Sequence, residues 1–485
     1  MNSKKASNGL AALHKSFPKS LVTGCRRRLV VGLICLNFVW PALVAVPARP
    51  RTINRPQPPA QTQTSSPSAA SENFKFEKAD LELLEQVNLL DKRFEREGLV
   101  FEDDAAHALL KRVGEVLVPR TEKLENVTWR FRALRDPQAN AFALPNGSIY
   151  VTTGLMSLVD NESQLAAILA HEMTHVVRRH TYLQNRSNRK KFLAMNIIAA
   201  VGAYAPGGAV GAVITIATTI APFIVIATIF GYSRDLEREA DLKGIDMMIK
   251  AEYAPEEMVN VMKLLDKDLE GENIRLFYND HPALDERIKY LSSYLGARAD
   301  KITSQMELNR EKGAYFQKLE PIMRHDIRLA INAGRFRSAL YLSQRLVDFH
   351  ADSENLYWLA ESYRTLGPRT AQLTDKELTN SAKKDAAKKR QKRTSEEEDR
   401  DLLATPGGQE EAKAHQQKAE EVYLRALGLD NPTPVAHRGL GMLYEKIGRK
   451  DEALGEYQKY LDLSPAATDR ERIQKRIENL RNPAP

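Results

Sequence analysis

Apolar positions three and four apart recur in two early stretches, FEKADLELLEQVNLLDKRFERE and DDAAHALLKRVGEVLV, and predict two amphipathic helices from about residue 76. The period then falls to two in WRFRAL. Trp129, Phe131 and Ala133 share one face there and Arg130 and Arg132 the other, as a half-buried strand requires. ANAFALPNGSIYVTTG reads as two short strands around a Pro-Asn-Gly turn. A helix follows with Asn161 as its cap, and its first half, LAAILA, is apolar throughout. Between Phe192 and Gly231 no charged residue occurs, and Pro206, Gly207 and Gly208 break the run into two pieces. The second piece, Ala209 to Phe230, is long enough to span a bilayer, so 192–231 is read as a buried or membrane-contacting apolar hairpin.

The C-terminal third repeats itself with a period of about 34 residues. In AHRGLGMLYEKIGRKDEALGEYQKYLDLSP, the residues Gly441, Tyr444, Gly448, Ala453, Tyr457 and Pro465 stand where a tetratricopeptide repeat places its small, aromatic and turn residues. A weaker copy carries Gly334, Phe336 and Ala339. A middle copy starts at LYWLAESYRTLG and resumes at AEEVYLRALGLDNP, split by an inserted charged loop at about 368–415. The segment resembles tetratricopeptide repeats, and ATDRERIQKRIENLR is expected to be the polar capping helix such a stack needs.

The chain ends differ in composition from this body. Arg26, Arg27 and Arg28 precede the apolar stretch LVVGLICLNFVWPALVAV, with small residues at Ala45 and Ala48, so 1–48 reads as an export signal or an uncleaved anchor. Residues 49–75, rich in Pro, Gln and Ser, are expected to be a disordered linker. The only two cysteines, Cys25 and Cys35, lie within or beside the signal, so if that run is removed the mature chain has no thiol for a disulfide or a thiolate zinc site. A net charge of +8 is spread among acidic neighbours, and no nucleic-acid partner is expected. The insertion's KKDAAKKRQKR and TSEEED blocks of opposite charge read as a solvated loop or frayed helix.

The chemistry is concentrated in LAAILAHEMTHVVRRH. On a helix, His171 and His175 project from one face a turn apart and can take adjacent corners of a zinc tetrahedron. Glu172 between them is placed to accept a proton from a metal-bound water. A third ligand is still required. His180 is expected to continue the same helix beyond reach, and the later helix SRDLEREADLKG offers a better one. There Glu237 and Asp241, four apart, can point the same way, Glu237 to the metal and Asp241 to a ring N–H of a ligand histidine.

With NAFALPNGSIYVTTGL, HEMTH, SRDLEREAD and HPALDER in this order, the chain resembles the HtpX/CAAX-prenyl-protease family of zinc metallopeptidases. With the repeats added, it is similar to the periplasmic BepA-like branch. The resemblance implies an α+β, mostly α fold: a gluzincin-type metallopeptidase domain with a small β-sheet at 76–315, then an all-α tetratricopeptide-repeat solenoid at 320–482. It implies one Zn2+ per chain held by His171, His175 and Glu237, with Glu172 as the base and Asp241 as the acid behind a ligand. His281 corresponds to the His-Pro histidine that can close the zinc site, and Arg287 to the arginine after it. The strand at 140–144 would border the cleft. The implied function is a cell-envelope zinc endopeptidase in the periplasm, acting on misfolded or stalled outer-membrane proteins, with repeats that dock substrate or assembly machinery. The alternatives are a chaperone or assembly adaptor with a latent metal site, and an integral membrane protease held by 192–231.

Overall fold

The computed structural model describes residues 74–119, 124–187, 232–265, 284–296, 306, 309–370 and 395–482. The export segment, most of the linker, the apolar hairpin 192–231 and His281 lie outside the described residues. The two amphipathic stretches form α1 (Lys78–Arg96) and α2 (Asp104–Leu117). Asp103 starts α2 by accepting the Ala106 amide at 2.8 Å, which satisfies one of the donors a helix start leaves unpaired.

Three short strands follow: β1 (Arg130–Leu134), β2 (Ala141–Ala143) and β3 (Ser148–Thr152), in spatial order β1-β3-β2. β1 runs parallel to β3 and β2 antiparallel to it, so β2 is an edge among the described strands. The predicted turn joins β2 to β3. Gly147 adopts φ +94 there, and a Cβ at that position would fall 2.7 Å from the Thr128 carbonyl oxygen.

Beyond the sheet lie α3 (Thr153–Leu158), α4 (Glu162–Val177), α5 (His180–Ser187), α6 (Arg234–Lys250), α7 (Glu257–Leu265) and α8 (Leu284–Gly296). Asn161 caps α4 as expected, accepting the Gln164 amide at 2.9 Å. Every residue of α4 from Glu162 to Val176 is buried, which explains why its sequence is apolar all round before the histidines. Its first turn is pinned by Arg112, whose two guanidinium nitrogens reach Glu162 at 2.5 and 2.6 Å.

The C-terminal third is helical throughout its described length: α9 (Lys312–Asn332), α10 (Phe336–Phe349), α11 (Ser353–Leu366), α12 (Ser395–Leu403), α13 (Pro406–Leu427), α14 (Val435–Lys446), α15 (Lys450–Leu463) and α16 (Arg470–Arg481). The expected loop to about residue 415 is corrected for its described half. Thr405 caps α13 by accepting the Gly408 amide at 3.1 Å, and Pro406 takes the first helical position, where its missing N–H costs nothing.

The core also crosses the expected boundary between 315 and 320. Tyr315, Phe316, Leu319, Ile322, Ile327 and Leu346 join the cluster containing α2, α4 and the strands, while α11 and α13–α16 share a second core. Polar contacts weld the junction. Arg345 on α10 donates to Ser157 O at 3.0 Å, Val159 O at 3.2 Å and Asp160 Oδ1 at 2.9 Å, satisfying carbonyls at the end of α3. Asp326 on α9 accepts the Thr153 hydroxyl at 2.8 Å, fully buried.

Burial pushes the Asp326 carboxyl up to about 8. It therefore keeps its proton in the folded chain between about pH 4 and pH 8, where an unfolded aspartate has lost it. Its contribution to stability is complete below about pH 4 and is lost as pH rises through the folded value. Asp326→Asn retains an acceptor for Thr153 but does not titrate. The variant is expected to match native protein in melts near pH 3.5 and to exceed it near pH 8.5 by on the order of a few kcal/mol, each pKa unit being about 1.4 kcal/mol. An unchanged difference between the two pH values would remove Asp326 as the cause.

Candidate metal centre

α4 and α6 lie side by side because Gly244 lets them. A Cβ there would meet the Met258 side chain at 3.2 Å and the His171 backbone nitrogen at 3.3 Å, so only hydrogen leaves the gap ordinary. That approach sets Glu237, about two turns earlier on α6, opposite the two histidines. His171 Nε2 and His175 Nε2 stand 3.1 Å apart, and the Glu237 carboxylate lies 3.5 Å from each. All three side chains are buried.

These separations test the donor set directly. Ligands at about 2.0–2.1 Å from zinc in a tetrahedron are separated by about 3.4 Å. Two imidazole nitrogens 3.1 Å apart, each 3.5 Å from one oxygen of the same carboxylate, fit that requirement, and no thiolate is needed. The residues present fit zinc.

Each histidine is oriented from behind. His171 Nδ1 lies 2.9 Å from Asp241 Oδ1, and Asp241 is gripped by Arg287 through Nε at 2.8 Å and a terminal nitrogen at 2.6 Å, with the Tyr290 hydroxyl also donating to it. Arg287 further reaches Glu237 Oε2 at 3.5 Å. Burial alone would raise Asp241, but the Arg287 charge and the His171 bond hold it at about 2. Burial would likewise depress His171, yet its bonds to Asp241 and Glu237 raise it to about 9.

His175 is backed by a residue the sequence reading set aside. Arg179 adopts φ +57, a left-handed conformation rare for a residue with a side chain, and this ends α4 instead of extending it. The chain swings back, so His180 Nδ1 comes to 2.9 Å from His175 Nδ1, with Glu239 Oε2 3.3 Å from His180 Nε2. The expectation that His180 continues the helix out of reach is corrected on this point. It is not grouped with the donor set, but it touches a member of it. Burial pushes His180 below the usual histidine value and so favours its neutral ring. The bonding then has one consistent arrangement. With Nε2 of His175 turned to a metal, its proton sits on Nδ1 and is donated to His180, whose own proton on Nε2 goes to Glu239. Tyr232 stacks on the other face of His175, centroids 3.8 Å apart and planes at 10°. No sequence periodicity signals a left-handed arginine, which is why His180 was not legible.

Replacing His180 with Ala is expected to weaken zinc binding by about 10–100-fold, with partial rescue by Gln, whose amide can still bond His175. Competition against a chromogenic chelator reads this directly. Unchanged affinity in His180→Ala would show that the contact is packing alone.

Glu172 lies on the strand side of the histidines. It is buried, burial pushes it up to about 8, and the Ala143 amide of β2 bonds it. In the β2–β3 pair, Asn140 O and the Leu144 amide bond β3, so the alternate residues Ala141 and Ala143 turn their backbone groups away from it. The edge of β2 therefore meets the catalytic carboxylate candidate. Of the residues expected at the site, His171, Glu172, His175, Glu237, Asp241 and Arg287 are brought together, and His281 lies outside the described residues.

Residues 104–295, which contain this whole arrangement, match the model of Peptidase family M48. The mitochondrial metalloendopeptidase OMA1 of Schizosaccharomyces pombe is 28% identical over 36% of this chain and 48% of its own length. The putative beta-barrel assembly-enhancing protease of Vibrio cholerae is 30% identical over 31% of this chain and 29% of its own. The beta-barrel assembly-enhancing protease of Escherichia coli is 28% identical over 29% and 28%. The chain thus spans about half the length of the first of these relatives and less than a third of the other two. The family match and the geometry agree on a zinc-type metalloprotease centre in this segment.

Proposed function

We propose that this chain is a zinc-dependent endopeptidase of the cell envelope, located in the periplasm, that cleaves misfolded or stalled outer-membrane proteins. The observation that carries the reading is the convergence of His171, His175 and Glu237 at zinc-ligand spacing beside the buried Glu172. The similarity to beta-barrel assembly-enhancing proteases supports the outer-membrane direction. The mitochondrial relatives are named metalloendopeptidases, so proteolysis is the activity both groups share by name.

In this reading His171, His175 and Glu237 hold the ion, Asp241 and His180 fix the rings, and Arg287 keeps Asp241 ionised and reaches Glu237 beside it. Zinc, when bound, supplies Lewis-acid polarisation of the scissile carbonyl and lowers the pKa of water. Glu172 takes a proton from the attacking water and returns it to the leaving amine. An extended substrate adds to the β2 edge, where Ala141 and Ala143 offer backbone groups beside Glu172. The helix pairs α9–α10, α11–α13 and α14–α15 are read as three tetratricopeptide repeats that dock substrate or assembly machinery, closed by α16.

The test uses protein lacking 1–48 in three forms: native, Glu172→Gln and His281→Ala. Each is incubated with zinc and an unfolded outer-membrane β-barrel protein, and cleavage is followed by gel. Cleavage by native protein and none by Glu172→Gln supports the reading, and faster cleavage by His281→Ala adds a latch. Absence of cleavage in all three, with zinc bound and substrate captured, would favour the adaptor.

A further inference from the structure

Arg179 is 6% exposed and holds φ +57, a backbone region that a residue with a Cβ enters at a penalty of on the order of tenfold in population. Something in the fold must favour it there. Its guanidinium donates to the Glu125 carbonyl at 2.7 Å and lies over two rings, Phe76 at 5.3 Å and Phe74 at 5.9 Å from the centroid. Burial disfavours the charge, and the negative faces of the rings offset part of that penalty.

Phe74 and Phe76 belong to the segment that leads into α1, far upstream of His175. The same segment grips α5 at both ends. At its first turn the two rings meet edge to face, 5.2 Å apart, and pack on the fully buried Tyr182 at 5.5 and 5.3 Å. At its last turn Arg186 lies over Phe74 at 4.4 Å, donates to the Lys75 carbonyl at 2.6 Å and pairs with the fully buried Asp80 carboxylate, Nε lying 3.1 Å from Oδ2. The turn between α4 and α5 is thus held from outside both helices. Within it the Arg179 carbonyl accepts the Tyr182 and Leu183 amides, each at 3.1 Å, and the next residue is His180, whose Nδ1 stands 2.9 Å from His175 Nδ1.

We propose that Phe74–Asp80 is a positioning clasp for the metal centre. Its two rings hold Arg179 in the left-handed turn, and that turn sets His180 behind the ligand candidate His175. These are positioning residues, since they act through His180. The inference rests on the zinc reading of His171, His175 and Glu237, and adds that a segment outside the matched residues 104–295 completes their support.

Zinc affinity is measured by chelator competition on the full chain: native, Phe74→Ala/Phe76→Ala, Phe74→Tyr/Phe76→Tyr, Arg179→Gly, and Arg179→Gly with the alanine pair. The alanine pair should bind zinc about tenfold more weakly than native protein, the lower end of the range for losing a ligand's outer partner. The tyrosine pair keeps both rings and should stay within about twofold. Glycine enters the left-handed turn without the Cβ penalty, so adding the alanine pair to Arg179→Gly should weaken binding by no more than about twofold. Hydrogen exchange of the Tyr182 and Leu183 amides, measured on metal-free chains, should quicken in the alanine pair and stay slow when Arg179→Gly is present. Unchanged affinity in the alanine pair overturns the proposal. So does a tenfold loss repeated in the Arg179→Gly background, because that marks general destabilisation. A native chain that binds no zinc would sink the zinc reading instead, and the exchange rates would then decide whether the rings hold the turn.

Discussion

Glu172→Gln is expected to abolish turnover while leaving zinc bound at full stoichiometry. Gln keeps the size and hydrogen-bonding shape of the side chain beside Ala143, but its amide cannot take up a proton. General-base catalysis of this kind is worth about 10²–10⁴-fold, so the residual rate should fall at least into that range. The buried position sharpens the expectation, since among the described residues the carboxylate grouped with the two histidines is Glu237, which the metal would occupy. Zinc content by atomic absorption, run beside single-turnover cleavage, separates the two effects. A variant that still cleaves at the native rate would remove Glu172 as the base.

Glu237→Ala is expected to act on the metal itself. The carboxylate is one of three donors in the described site, and its removal also leaves Arg287 facing one carboxylate where it had two. The loss of zinc affinity should exceed the about 10–100-fold expected when an outer hydrogen-bond partner is removed. It should therefore exceed the loss in His180→Ala, and that ranking is the informative comparison. Dialysis against graded chelator, with metal content measured for both variants, checks it. Full occupancy retained in Glu237→Ala would take Glu237 out of the ligand set.

Several parts of the site are legible in the sequence because they are local. Two histidines four apart on a helix share a face whatever surrounds them, and the apolar run before His171 already implied a buried helix. Glu237 and Asp241 were legible for the same reason, as an i, i+4 pair on a second helix. The Pro145–Gly147 turn was legible because a position with φ +94 strongly favours glycine. Arg287 came from the family resemblance and not from any local pattern, since its role depends on two carboxylates some fifty residues away.

The remainder needed the folded chain. The left-handed Arg179 and the return of His180 to His175 arise from packing around α4 and α5, where Arg179 reaches the Glu125 carbonyl at 2.7 Å and lies against Phe76. The core that runs from α2 through α10 could not be read from repeat periodicity, because a repeat pattern records how helices pack on their neighbours and is silent on what else they cover. The ion pairs between α12 and Arg369 join the start of the insertion to its second half, and a sequence of like charges does not say which cation it meets. Sequence by itself determined most of the elements and the pairing of His171 with His175 and of Glu237 with Asp241 on shared helix faces, since each is a matter of spacing within one or two helical turns. Only the tertiary structure decided which groups stand behind those ligands and where the helical array joins the domain, because hydrogen bonds and burial between distant segments follow from packing.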